Sequence, residues 1–147
     1  MKILLGIDES PHSEAAVEFV KKMAWPIGTQ VLVASSVRPE VSAYTEVYAA
    51  GTAPSQQFFE EQLRHHQELV SLAEQKLQVG ALKIEARVLR GDPREALLDT
   101  ARTEGADLIV VGSHGRTGLA KLLLGSVASH VVTHASCSVM VVKLPRP

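Results

Sequence analysis

A chain of 147 residues, 46% hydrophobic and 21% charged, has the composition of one globular domain and not of a disordered or fibrous protein. Its 15 basic and 16 acidic residues leave a formal charge of −1, which argues against broad binding to nucleic acid or a membrane surface. Any anion site must then be local. The apolar run opening MKILLGIDES is too short for a signal-peptide core or a membrane span, and the single cysteine, Cys137, allows no intrachain disulfide. A reduced, cytoplasmic protein is expected.

Short apolar runs alternate with segments of helical period, the pattern of βα units around a parallel sheet. The first strand is expected over Ile3 to Ile7. Ser10-Pro11 then supplies an N-cap followed by proline at the first helical position, and Ala16, Phe19, Val20 and Met23 carry the helical spacing. Helix one therefore spans 11 to 24 and stops before Pro26 and Gly28. A valine-rich second strand follows over Gln30 to Val37. Residues 38 to 55 hold no sustained period and contain Pro39, Gly51 and Pro54, which reads as an irregular connection. Helix two covers about 55 to 79, with Phe59, Leu63, His66, Val70, Ala73 and Leu77 on one face. Strand three runs from Leu82 to Leu89, and Asp92-Pro93 caps and opens helix three. Strand four is Asp107 to Val111, a helix follows over Ser126 to His134, and strand five is Ser138 to Val142. No repeat or linker divides the chain, so one domain spans 1 to 147, with right-handed crossovers placing helices on both faces of the sheet.

Ligands of open sheets bind beyond the carboxyl ends of the strands, where the strand order reverses. Strand one ends at Asp8, and strand four ends in the glycine-rich segment GSHGRTGLAKLLLGS. Gly112, Gly115, Gly118 and Gly125 permit positive φ and close backbone approach, and their amides can form an anion-binding nest. Ser126 opens a helix whose free N–H groups and dipole favour phosphate. The segment lacks the lysine ending of a Walker A loop and is not a dinucleotide G-x-G-x-x-G, which disfavours a P-loop NTPase or a dehydrogenase.

The spacing G-x2-G-x9-G-[ST], fitted by Gly112, Gly115, Gly125 and Ser126, resembles the ATP-binding motif of universal stress proteins. ILLGIDESPHSEAAVEFV is similar to that family's first strand and helix, ADLIVVGSHGRTGLAKLLLGSVASHVV to its fourth strand and nucleotide loop, and CSVMVVK to its last strand. The resemblance covers the whole chain. It implies a five-stranded parallel sheet of order 3-2-1-4-5, Rossmann-like and adenine nucleotide alpha hydrolase-like, in a homodimer that pairs through strand five at about 138 to 142. It also implies a regulatory role in a stress response through ATP, with AMP or another adenine nucleotide as the alternative ligand. By position, Gly6, Ile7 and Asp8 would face base and ribose, and Val37 would pack on adenine. Val111 and Gly112 would flank the ribose, while Gly115, Gly125, Ser126 and Val127 would line the phosphates. Many members carry proline or alanine at the position of Gly6, and a histidine–valine pair where this chain has Ser35-Ser36-Val37.

Individual residues leave alternatives open. Asp8 can accept from ribose hydroxyls, hold Mg beside the phosphates, or cap helix one. His114, Arg116 and Lys121 are the local cations; Arg116 can reach a terminal phosphate or remain a solvated surface residue. His114 invites a general-base role, yet no serine–histidine–carboxylate set accompanies it. His65 and His66 diverge by about 100° on their helix, and His130 and His134 are spaced for a metal but read better as surface or capping residues. Trp25 reads as packing and Cys137 as a buried small hydrophobe. The sequence thus favours a nucleotide-binding regulator with an unidentified protein partner, over a slow ATP hydrolase or phosphotransferase and over a nucleotide-free structural dimer.

Overall fold

A computed structural model describes residues 1–38, 56–78, 80–116 and 123–145. Nine elements alternate along it: β1 (Lys2–Gly6), α1 (Pro11–Lys22), β2 (Gln30–Val37), α2 (Gln56–Leu77), β3 (Lys83–Arg90), α3 (Pro93–Glu104), β4 (Leu108–Gly112), α4 (Ser126–His134) and β5 (Ser138–Val142). The reading of 38 to 55 as an irregular connection lies, beyond Arg38, outside the described residues, as do Gly118 and Lys121.

The five strands form one parallel sheet in the order β3-β2-β1-β4-β5. Gly6 at the end of β1 lies beside Ala34 of β2 on one side and Val111 of β4 on the other. The order reverses between β1 and β4, so the crevice for a ligand falls at the carboxyl ends of these two strands.

Side chains alternate across the sheet, and each face buries its own core. Ile3, Leu5 and Ile7 of the first strand and its extension join Val31 and Val33 under α1 and α2, through Val17, Val20, Val70 and Leu77. Leu4, Leu32, Ile109 and Val111 face the other way and pack beneath α3 and α4, through Leu97, Leu98, Ala101 and Val131. The inner strands β1, after Lys2, and β4 therefore read as unbroken apolar runs, whereas the edge strand β3 alternates with charged residues.

Local signals set the helix ends. Ser10 accepts from the Ser13 amide at 3.2 Å with Pro11 opening α1, and Asp92 accepts from the Arg94 amide at 2.9 Å with Pro93 opening α3. Helix α1 ends at Lys22, two residues before the expected limit, because Met23 has already turned extended. Gly105 closes α3 at φ 62°, a left-handed position that glycine tolerates without strain. Trp25 packs on the first core and donates from Nε1 to the Val20 carbonyl at 2.8 Å.

Candidate functional site

A cleft opens along the carboxyl edge of the sheet at the reversal. Gly6, Ile7, Asp8, Val111, Gly112, His114, Gly115, Arg116, Gly125, Ser126 and Val127 all line it. Val37 is the exception among the residues expected there. It is buried at 3% exposure, and among the described residues the β2 wall is formed by Ala34, Ser35, Ser36 and Arg38 instead.

Asp8 ties the two strand ends together. Its Oδ1 accepts from the Ser10 amide at 3.0 Å and the Ser13 hydroxyl at 2.8 Å, while its Oδ2 accepts from the Arg116 amide at 3.1 Å. A carboxylate offers about four acceptor positions, so three protein donors leave room for one more. Ser10, and not Asp8, caps α1; Asp8 supports that cap through the Ser10 amide and the Ser13 hydroxyl and clamps the glycine segment through the Arg116 amide. Among the described residues no group of three or more potential metal ligands occurs, at Asp8 or elsewhere.

Of the two uses the sequence allowed, positive φ and close approach, Gly112, Gly115 and Gly125 show only close approach, and it is to the protein's own chain. Gly112, Gly115 and Gly125 all have negative φ. A Cβ on Gly112 would stand 2.7 Å from the His12 carbonyl carbon, so the start of α1 can press against the end of β4 only there. A Cβ on Gly115 would stand 2.7 Å from Asp8 Oδ2, and one on Gly125 would stand 3.0 Å from His114 Cα. The Gly125 amide donates to the Ser113 carbonyl at 2.7 Å and pins the loop at its base.

Helix α4 then starts at the cleft. Ser126 is its first residue and not its cap: Gly125 holds the cap position and makes no side-chain capping bond. The first intrahelical bond runs from the Ser129 amide to the Gly125 carbonyl at 2.9 Å. The amides of Ser126, Val127 and Ala128 therefore have no acceptor within the helix, and all three residues line the cleft. This is a donor set with the dipole sign and spacing for an anion.

The opposite wall differs. Leu69 of α2, Leu97 of α3, Ala34 and Val111 give it an apolar surface. His66, which the sequence placed merely on the apolar face of α2, is 9% exposed, with Nδ1 2.8 Å from the buried Ser35 hydroxyl. Burial is the main cause that pushes its pKa down. Ser35-Ser36-Val37 occupies the stretch where the resemblance implies a histidine–valine pair, and an imidazole reaches Ser35 from α2. The only sequence signal for this was a histidine in a buried stripe.

The rim carries paired charges. Arg116 Nη1 lies 3.3 Å from Glu9 Oε1, and His65 Nε2 lies 2.7 Å from Glu9 Oε2. These bonds, His65 first, hold the Glu9 carboxyl below the usual range. Arg38 lies 3.9 Å from Asp92, whose pKa its bonded neighbour Arg94 lowers to about 2. His114 packs against His12 with ring centroids 5.0 Å apart, and both Nδ1 atoms face the Ser113 hydroxyl, at 3.2 and 3.0 Å. The spaced pair on α4 has other partners: His130 meets Glu95 at 2.8 Å, and His134 Nδ1 lies 2.9 Å from the His130 carbonyl. Cys137 is half-buried, less than expected, and burial raises its thiol pKa. No described helix is long and apolar enough to cross a membrane.

A doubly wound sheet with a glycine loop and an uncapped helix start at its reversal defines an α/β protein whose donor-lined cleft lies where such sheets take their ligands. Residues 1–143 match the model of the universal stress protein family, and the chain belongs to that family. It is 33% identical over 146 residues to the universal stress protein MJ0531 of Methanocaldococcus jannaschii, covering 99% of this chain and 83% of that one. The solved structure of the protein MJ0577 superposes with a TM-score of 0.83 at 26% identity, covering 99% and 97% of the two chains. A universal stress protein solved in complex with cAMP superposes at 0.60 with 28% identity, covering 97% and 95%.

Proposed function

We propose that this protein is a cytoplasmic regulator that binds ATP, or a closely related adenine nucleotide, in the cleft between β1 and β4. The observation that carries this reading is the convergence of the glycine loop with the α4 amides of Ser126, Val127 and Ala128, which lack helical acceptors, on one wall. Phosphates would sit on these amides, and Arg116 could turn to them from Glu9. The remaining acceptor position of Asp8 suits a ribose hydroxyl, and the apolar wall of Leu69, Leu97, Ala34 and Val111 suits a base. A cyclic adenine nucleotide bound by a relative supports the ligand class.

Binding, and not turnover, is the favoured role, because the donors gathered on the phosphate wall are main-chain amides, which hold an anion but neither give nor take a proton. Strand β5 is a sheet edge whose Val139, Met140 and Val141 are only half-covered, which suits pairing with a second copy in a homodimer.

Nucleotide released by heat from the purified protein and resolved by anion exchange tests the reading. ATP that stays intact on incubation supports a binding protein. Conversion to ADP supports slow hydrolysis, and a protein that releases no nucleotide and takes up none in calorimetry overturns the assignment.

A further inference from the structure

His66 and Ser35 form a polar pair that neither the sheet nor the phosphate wall requires. Ser35 is 2% exposed, and His66 is the one residue among the described ones bonded to its hydroxyl. A hydroxyl has a single proton to give, and a buried donor without an acceptor is costly. The bond therefore runs from Ser35 Oγ–H to His66 Nδ1. Neutral imidazole carries one proton, so that proton is on Nε2. Burial, reinforced by His65 and Arg116 and opposed by Glu9 and Asp8, keeps the ring neutral. Nε2 has no partner among the described residues, yet none of their buried side-chain nitrogens or oxygens is left unpaired. Nε2–H is therefore open to the cleft that the ring lines.

Strands β2 and β4 flank β1, so Ser35 stands about 10 Å across the sheet from the strand that leads into the phosphate wall. The apolar wall proposed for the base, with Leu69 on the same helix as His66 and Ala34 next to Ser35, lies on this side. We infer that His66 Nε2–H is a specificity-determining donor that reads a ring-nitrogen acceptor on the edge of a purine bound in the cleft. The inference rests on the nucleotide reading and adds to it an atom that discriminates between bases.

Calorimetry on the full chain with ATP and with 1-deaza-, 3-deaza- and 7-deaza-ATP tests it, in the unmodified protein and in His66→Phe. One of the three analogues is expected to bind the unmodified protein roughly tenfold more weakly than ATP, the scale of one lost hydrogen bond. That difference should vanish in His66→Phe. Equal binding of all three analogues, or a loss that persists in His66→Phe, overturns the inference and leaves the nucleotide reading standing. A protein that binds none of the four overturns both. Nitrogen-15 spectra of the unmodified chain give a second readout that needs no variant. A protonated Nε2 with a bare Nδ1 is expected, its preference relaxed in Ser35→Ala, and a protonated Nδ1 overturns the inference.

Discussion

The carboxylate of Asp8 fills the space that a side chain on Gly115 would need, its Oδ2 standing 2.7 Å from an ideal Cβ there. The same oxygen accepts from the Arg116 amide, so the loop is held against the end of β1 by a contact that only glycine permits. Gly115→Ala should therefore displace Asp8, cost about 1–3 kcal/mol of stability as overpacking does, and weaken ATP binding at least about tenfold. In an Asp8→Ala background the stability cost should shrink by about 1 kcal/mol or more, since the two residues are in direct contact. Denaturant titration of the four proteins of this cycle measures the coupling; strict additivity would contradict the contact.

Two other glycines should part company under the same substitution. The Cβ of Gly112→Ala meets main chain, the His12 carbonyl carbon at 2.7 Å, and main chain at a helix start has little freedom to retreat. The Cβ of Gly6→Ala meets a Leu97 methyl at 2.9 Å, the far end of a flexible side chain. Gly112→Ala should cost about 2 kcal/mol or more, and Gly6→Ala less than about 1 kcal/mol. Thermal or denaturant midpoints compare them directly.

His66 makes stability depend on pH near neutrality. Its pKa in the folded chain is below 6.5, chiefly through burial, whereas the unfolded chain titrates at the ordinary value. Below pH 6.5 the unfolded state binds a proton that the folded state refuses. Stability should thus be level with respect to this residue above 6.5 and fall as the pH drops toward the depressed value. In His66→Gln that limb should flatten. A separate acid limb belongs to Asp92 and Glu104, both lowered to about 2 by bonded cations, Arg94 in the first case and Arg87 with Lys2 in the second. Their contribution is present above 3.8 and 4.5 and is lost as pH falls toward about 2. Urea midpoints between pH 2 and 8 resolve the two limbs.

Glu9 competes with any bound phosphate for Arg116. The ion pair is solvent-exposed, so Glu9→Gln should change stability by less than about 1 kcal/mol. It should also remove a like charge from the cleft rim and release the guanidinium, raising affinity for ATP a few-fold at low ionic strength. The gain should fade in high salt, because exposed charges are screened. Calorimetry at two salt concentrations checks both statements.

The sheet was legible because the inner strands β1 and β4 are covered on both faces and so are apolar runs, and because Ser10-Pro11 and Asp92-Pro93 mark helix starts. The glycine loop was legible through spacing. Its packing was not: periodicity cannot show that the group facing Gly112 is His12, 100 positions away in the chain, so close approach was assigned to a ligand alone. Val37 was expected in the cleft and is buried, while Ala34, Ser35, Ser36 and Arg38 line it, because at the carboxyl end of β2 residues of both faces reach the cleft and alternation does not single one out. The Ser35–His66 pair lay hidden because α2 and β2 are brought together only by tertiary packing.

The bond from the Gly125 amide to the Ser113 carbonyl has a further consequence. It staples the two ends of the intervening stretch to each other, at the foot of β4 and the head of α4. The amides that open α4 are thereby fixed in register with the end of β4 by a main-chain bond, which no side-chain substitution at either residue removes directly.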